Sequence, residues 1–338
     1  MTKEFQKHHK IVQTKKAQML ELSAYLEDGL YTFDKDLRTV YNTAKNNHPM
    51  INHLNIPEKE EQLSLKIEDS GQKDFNGTIL WFCINGDIKI FSDDEVLVIC
   101  ANKESYQRKI ANDTYFSPFF RIPALINQDA KHNMLTEAFI HFEDKTDNDA
   151  AFILKTVYDD YRSYFNYLTL HSKVDYQTLD HLLNTSSNGK HIHLFEKIIE
   201  KISPELLSLN LPFINLHGDL WSDNILLTDE GGQKTLWYID WETAGKYVFF
   251  HDFFKFIWNE LDVHHNYSYY QRYIAGEFDE GLTNLFAIFH LTFEPKYRQS
   301  YFCLFFLNFI LHDTDNMAFE YKREEIIDFE RKVFPFMS

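Results

Sequence analysis

Leu216-His217-Gly218-Asp219-Leu220-Trp221-Ser222-Asp223-Asn224-Ile225-Leu226-Leu227 sets a carboxylate and, five positions on, a carboxamide on a loop that runs into a short apolar strand. Further along, Trp237-Tyr238-Ile239-Asp240-Trp241-Glu242 ends a second apolar run on an aspartate. The turn Asp229-Glu230-Gly231-Gly232 joins Asn224–Leu227 to Thr235–Ile239 as a hairpin. That hairpin brings Asn224 and Asp240 side by side, and their hard oxygen atoms suit a cation such as Mg²⁺.

Outward from this segment the chain changes texture twice. Toward the N-terminus, the short apolar runs Leu63–Ile67, Thr78–Ile84, Asp87–Phe91 and Glu95–Cys100 are punctuated by Asp69-Ser70-Gly71, Asn85-Gly86 and Ser92-Asp93-Asp94. Such punctuation predicts an antiparallel meander. A polar helix over Lys103–Phe116 and a strand over Met134–Ile140 follow it. The first residues, with Met19, Leu20, Leu22, Tyr25 and Leu26 on a helical period, read as helical. From Asp147 onward the period is again helical, with Phe152, Ile153, Val157, Tyr161, Phe165 and Leu168 on one face. Further helices are predicted near His193–Ile202, Phe249–Leu261, Tyr267–Phe286, Tyr301–Leu311 and Tyr321–Val333. The expected division is therefore a helical extension over 1–60, a β-rich part over 61–142 and a helical part over 143–338. The fold class is α+β.

Composition narrows the function. The net charge is −17, from 51 acidic against 34 basic residues, and no Lys/Arg stripe offsets it, so a nucleic-acid partner is not expected. Cys83, Cys100 and Cys303 are too few and too scattered for a disulfide framework or a zinc site. The longest apolar run, Tyr301–Leu311, falls short of the roughly 20 residues a bilayer span needs, and the first 16 residues carry no signal-peptide core. A cytoplasmic location without a membrane span is the expectation. Nothing in the sequence specifies an oligomeric state.

The chemistry these residues suit is phosphoryl transfer, which needs a carboxylate to orient an acceptor hydroxyl and oxygen ligands for a metal on the phosphates. Asp219 is the candidate base; Asn224 and Asp240 are the candidate metal ligands. His217 reads as a brace for the loop, since a carboxylate already fills the base role. Asp252, close to a helix start, reads as a cap or loop brace. The pairs His191/His193 and His264/His265 lack companions at zinc-like spacing and read as a solvated face. Phe249-Phe250 and Phe305-Phe306 read as core, although aromatic rings also suit a cationic ligand.

His217-Gly218-Asp219 with Asn224, followed by Ile239-Asp240, resembles the signature of the aminoglycoside phosphotransferase and choline kinase superfamily. The string His217–Ser222 is similar to the fructosamine kinases, and Ile239–Gly245 with His251-Asp252 to the choline and ethanolamine kinases. The resemblance implies a protein-kinase-like two-lobed fold, with a small antiparallel N-lobe and a larger helical C-lobe. It also implies ATP as donor, Mg²⁺ as cofactor, and Leu226 and Ile239 lining the nucleotide pocket. The family carries a strand lysine that pairs the ATP phosphates and an acidic residue on the next helix. Here Glu95–Cys100 has no lysine, Lys89 and Lys103 are the nearest substitutes, and Lys109 stands where a glutamate is expected beyond Glu104. Gly71 and Gly77 bracket at most a degenerate phosphate loop. A protein kinase is not expected: His-Gly-Asp replaces His-Arg-Asp, Asp240-Trp241-Glu242 replaces Asp-Phe-Gly, and no Ala-Pro-Glu follows.

The sequence thus predicts a kinase that phosphorylates a hydroxyl of a small acceptor such as an amino sugar, aminoglycoside, choline-like compound or sugar. The acidic balance favours a cationic one. The rival is a catalytically inactive pseudokinase serving as a binding or scaffold protein.

Overall fold

The computed structural model describes residues 3–34, 37–45, 48–53, 64–68, 73–312 and 319–337. In chain order the first elements are α1 (Lys3–Glu21), β1 (Gly29–Phe33), β2 (Thr39–Asn42), α2 (Pro49–His53), β3 (Ser64–Ile67) and β4 (Ile79–Phe82). Next come β5 (Ile88–Phe91), β6 (Glu95–Ile99), α3 (Lys103–Phe116), β7 (Leu125–Asp129) and β8 (Met134–Ala138). The middle of the chain forms α4 (Ala150–Leu170), β9 (Asp175–Gln177), α5 (Leu179–Thr185), α6 (Glu196–Ile199), α7 (Pro204–Leu207) and β10 (Leu211–Leu216). Then follow β11 (Ile225–Glu230), β12 (Gln233–Tyr238), β13 (Gly245–Val248), α8 (His251–Asp262), α9 (Ser268–Ile274), α10 (Asp279–Ile288), α11 (Arg298–Leu311) and α12 (Phe319–Val333). Two units divide these elements: Met1–Thr146 with Leu226–Tyr238, and Asp147–Ile225 with Ile239–Ser338.

The first unit is built on an eight-stranded sheet ordered β3-β1-β2-β4-β5-β6-β8-β7, its neighbours all antiparallel. Side chains on a strand alternate between faces, and the core splits accordingly. Leu80, Phe82, Ile90 and Leu97 join Val12 and Met19 of α1 in one buried cluster. Ile79, Phe91, Val96 and Val98 join Tyr106 of α3 in another. Helix α3 begins where Asn102 caps it, accepting from the Ser105 amide at 2.9 Å.

The opening residues differ from the expected helical extension. After α1 the segments Gly29–Phe33 and Thr39–Asn42 pair as β1 and β2 and enter the same sheet. Their β-branched and aromatic residues (Tyr31, Thr32, Phe33, Thr39, Val40, Tyr41) suit a pleated surface better than a helix. Strand β7, also absent from the sequence reading, is a polar edge strand with little apolar pattern to reveal it. The turn Asp69-Ser70-Gly71, like the first glycine of the candidate phosphate loop, lies outside the described residues. The hairpin β11–β12 groups with the first unit, where Glu143 donates its amide to the Leu227 carbonyl and Tyr238 to that of Arg121, both at 2.8 Å.

In the second unit α8 and α11 form the centre. Every residue of α11 from Tyr301 to Leu311 is buried, which explains a run too apolar for a surface helix and too short for a membrane. Among the described residues no helix is long and apolar enough to cross a membrane. Phe249, Phe250, Phe305 and Phe306 are all core residues; burying each ring contributes about 1.5–3 kcal/mol. The expected single helix over Tyr267–Phe286 is two, α9 and α10, because Gly276 adopts φ +88° and ends the first. The three-stranded sheet β13-β10-β9 puts β10 at its centre and aims the chain from Leu216 into His217. An α+β chain with an antiparallel sheet, as expected, is what the structure shows.

Candidate active site

The loop after β10 is set by backbone constraints at both ends. Gly218 has φ +83°, and a β-carbon there would come within 2.5 Å of the Thr243 carbonyl oxygen and 2.8 Å of the Tyr247 ring. Only glycine satisfies both conditions. Gly218→Ala is therefore expected to cost about 1–3 kcal/mol and to lower activity with stability; urea midpoints and turnover of the purified variant check this.

Asp252, at the start of α8, holds the loop from beneath. Its carboxylate accepts the His217 amide and the Gly218 amide, each at 2.8 Å, and the Tyr161 hydroxyl at 2.6 Å. Burial pushes this carboxyl up, against the pull of His217, the Tyr161 hydroxyl and the two amides. The expectation of a brace is thus met. His217 is also a brace: Nε2 lies 2.8 Å from the Ile239 carbonyl, and Nδ1 accepts the Asp219 amide at 3.4 Å.

The three predicted residues all fall in the second unit and are tied to one another. The Asn224 side chain donates from Nδ2 to the Asp219 carbonyl at 2.8 Å. The Ile239 amide donates to the Asn224 carbonyl at 3.0 Å, which sets Asp240 next in the chain beside Asn224. Asp240 occupies the left-handed region, φ 65° and ψ 50°, a conformation a non-glycine residue seldom adopts and one that clusters at functional sites. The Asp219 side chain is 36% exposed.

Sequence reasoning missed two neighbours of Asp219. Lys255 Nζ stands 3.4 Å from Asp219 Oδ1, with its side chain only 9% exposed, and Asn259 Nδ2 donates to the same oxygen at 3.0 Å. Both belong to α8, and Glu260 of the same helix accepts the Ser222 amide at 3.4 Å. Positions 252, 255 and 259 fall on one helical face, so α8 supports the loop along about 10 Å of its length. The signal was present in the sequence as a polar stripe inside the aromatic helix His251-Asp-Phe-Phe-Lys-Phe-Ile-Trp-Asn-Glu.

His251 packs against Tyr247 at 4.1 Å and Phe305 at 5.1 Å between ring centroids. Burial, with Lys255 and His312 adding, holds its pKa well below the usual imidazole range. The unfolded chain protonates this residue at about pH 6.5 while the folded one does not. Its contribution is therefore present above that pH and lost as pH falls below it, by up to about 1.4 kcal/mol per unit. Urea unfolding at pH 7, 6 and 5 is expected to show a shallower acid slope in His251→Asn than in the wild type.

The predicted nucleotide residues are more scattered. Ile239 is in the second unit and half-buried; Leu226 on β11 and Lys89 on β5 are in the first. Lys89 places its ammonium over the Trp81 ring at 5.3 Å. Lys109 of α3 pairs with the buried Asp87 at 3.3 Å, and Asp87 also accepts the Ala101 amide at 2.8 Å. Charge is thus arranged with the cation on the helix and the carboxylate at the sheet.

The donor set at Asn224 and Asp240 fits a small hard cation. Committing the Asn224 side-chain nitrogen to the Asp219 backbone carbonyl leaves the side-chain oxygen as the end suited to a metal. Among the described residues no group of three or more His, Cys, Asp or Glu side chains could hold a metal by itself. Two protein ligands completed by phosphate oxygens and water is the usual style of Mg²⁺.

Residues 167–285 match the model of the phosphotransferase enzyme family, a stretch that includes Asp219, Asn224 and Asp240. The resemblance read from the sequence is borne out over that stretch. Among solved structures, the chain is similar to a choline/ethanolamine kinase family protein from Mesorhizobium loti (13% identity, 71% of this chain and 82% of that one, TM-score 0.37). It is likewise similar to the amicoumacin kinase hAmiN in complex with AMP-PNP, Ca²⁺ and Ami (12% identity, 95% and 96%, TM-score 0.41). A third is the Plasmodium vivax ethanolamine kinase (12% identity, 75% and 82%, TM-score 0.37). Comparison with curated proteins finds no match.

Proposed function

We propose that this chain is an ATP- and Mg²⁺-dependent kinase that transfers the γ-phosphate to a hydroxyl of a small molecule. The observation that carries this reading is a pair of hydrogen bonds that draw the segments bearing Asp219, Asn224 and Asp240 together, Asn224 Nδ2 to the Asp219 backbone carbonyl and the Ile239 amide to the Asn224 backbone carbonyl. The family match over the same residues supports it.

In this mechanism Asp219 accepts the acceptor's hydroxyl proton. The acceptor oxygen forms its bond to the γ-phosphorus as the bond to the bridging oxygen breaks, and ADP leaves with that electron pair. Lys255 and Asn259 keep the Asp219 carboxylate in one orientation, which converts a mobile base into a positioned one. Asn224 and Asp240 are the residues that would hold Mg²⁺, which would neutralise charge on the phosphate oxygens. Leu226, Ile239 and Lys89 are the candidate nucleotide residues that the resemblance implies.

ADP release from Mg²⁺–ATP, measured with amino sugars, aminoglycosides, choline-like amines and sugars, tests this directly. At least one acceptor is expected to raise the rate in a Mg²⁺-dependent way. One observation favours the rival, a catalytically inactive binding protein: β6 offers no lysine and the helix cation Lys109 is already paired to Asp87. That rival predicts no release above background with any acceptor, even with nucleotide bound.

A further inference from the structure

A cavity of about 470 Å³ lies within the second unit, inside the range typical of small-molecule sites. Its wall takes Tyr158 and Tyr161 from α4, Phe253 and Phe256 from α8, Gly281 from α10, and Leu220 from the catalytic loop. Four of these connect it to the candidate base. Leu220 follows Asp219 in the chain. The Tyr161 hydroxyl bonds to Asp252, the residue that holds the His217 and Gly218 amides. Phe253 and Phe256 lie on α8, the helix whose Lys255 contacts the Asp219 carboxylate. The loop and α8 therefore contribute to both the cavity wall and the surroundings of Asp219, and α4 reaches the loop through the Tyr161–Asp252 hydrogen bond.

The four charged residues of the wall, Lys155, Arg272, Glu277 and Glu280, sum to zero. Arg272 pairs with Glu277 at 2.8 Å, Lys155 pairs with Asp159 at 2.6 Å, and Glu280 is the remaining charged residue of the wall. A polycation gains little from such a wall, despite the net charge of −17; apolar surface gains from its rings. We infer that this cavity seats the body of the acceptor, and that the acceptor is an alcohol with a largely hydrocarbon or aromatic body rather than an amino sugar. The inference rests on the phosphotransferase reading above and narrows its substrate class.

The probe is the series 1-propanol to 1-octanol, assayed both for binding, by displacement of 1-anilinonaphthalene-8-sulfonate, and for ADP release with Mg²⁺–ATP. Affinity is expected to rise about fourfold per methylene, as burial of a CH₂ group predicts, up to a cut-off length, with KM falling in parallel. Gly281 sits in helical backbone, and a β-carbon there meets the Tyr158 ring at 3.4 Å. Gly281→Leu should therefore keep the fold, fill the cavity and shorten the cut-off, while Val157→Ala should lengthen it. A cut-off that moves in opposite directions in the two variants is a result that a purely structural role does not give. ADP release on amino sugars with no dependence on alkanol length would overturn the cavity assignment and leave the kinase reading standing. Length-dependent binding without ADP release on any acceptor would overturn both the acceptor assignment and the kinase reading.

Discussion

Asp219→Asn is expected to lower kcat by about 10²–10⁴-fold, the range a positioned general base contributes, with little change in nucleotide affinity. The substitution keeps the shape of the side chain and an oxygen for Asn259 to donate to, so the loop should stay in place. What it removes is the proton acceptor, together with the counter-charge of the nearly buried Lys255. Steady-state kinetics on the best acceptor from an ADP-release screen, beside a nucleotide titration, separates the two effects. Wild-type turnover in this variant would remove Asp219 from the base role.

The second large effect is expected at Asp252. Truncation to alanine leaves the His217 and Gly218 amides and the Tyr161 hydroxyl without their acceptor in a buried setting. Each unsatisfied group costs about 1–3 kcal/mol, so the sum is a large part of the roughly 5–15 kcal/mol that holds a domain folded. Asp252→Ala should melt many degrees lower or fail to fold. Asp252→Asn keeps the volume and one acceptor oxygen, so it should fold with reduced stability and a reduced kcat. A thermal melt and turnover assay of the two variants side by side checks the order wild type, Asn, Ala. Equal melting temperatures would show that the loop does not depend on this carboxylate.

Much of the molecule was legible because its physics is local. Helix α3 was predicted over the residues it occupies, and the meander β4–β6 was visible from Asn85-Gly86 and Ser92-Asp93-Asp94. The candidate base and the candidate metal pair were legible because a loop, a strand and a turn place them within one short stretch. Other features depend on distant partners. Strand β10 carries Pro212, which argues against a central strand, yet it pairs on both sides because the proline still offers its carbonyl, here to the Phe249 amide at 3.0 Å. The roles of Lys255 and Asn259 follow from the packing of α8 under the loop, and no local pattern states what a polar stripe will face. The pairing of Lys109 with Asp87 is likewise a tertiary fact, joining a helix to the residue that opens β5.

The measurement that tests the central claim most directly is a thermal shift with ATP, with and without Mg²⁺, on the wild type and on Asp240→Ala. At 100 times the dissociation constant, ligand binding stabilises the folded state by about 2.7 kcal/mol, a visible rise in melting temperature. The site as assigned predicts a Mg²⁺-dependent rise in the wild type that Asp240→Ala loses. A rise that survives the substitution unchanged, or no rise with any nucleotide, would contradict it.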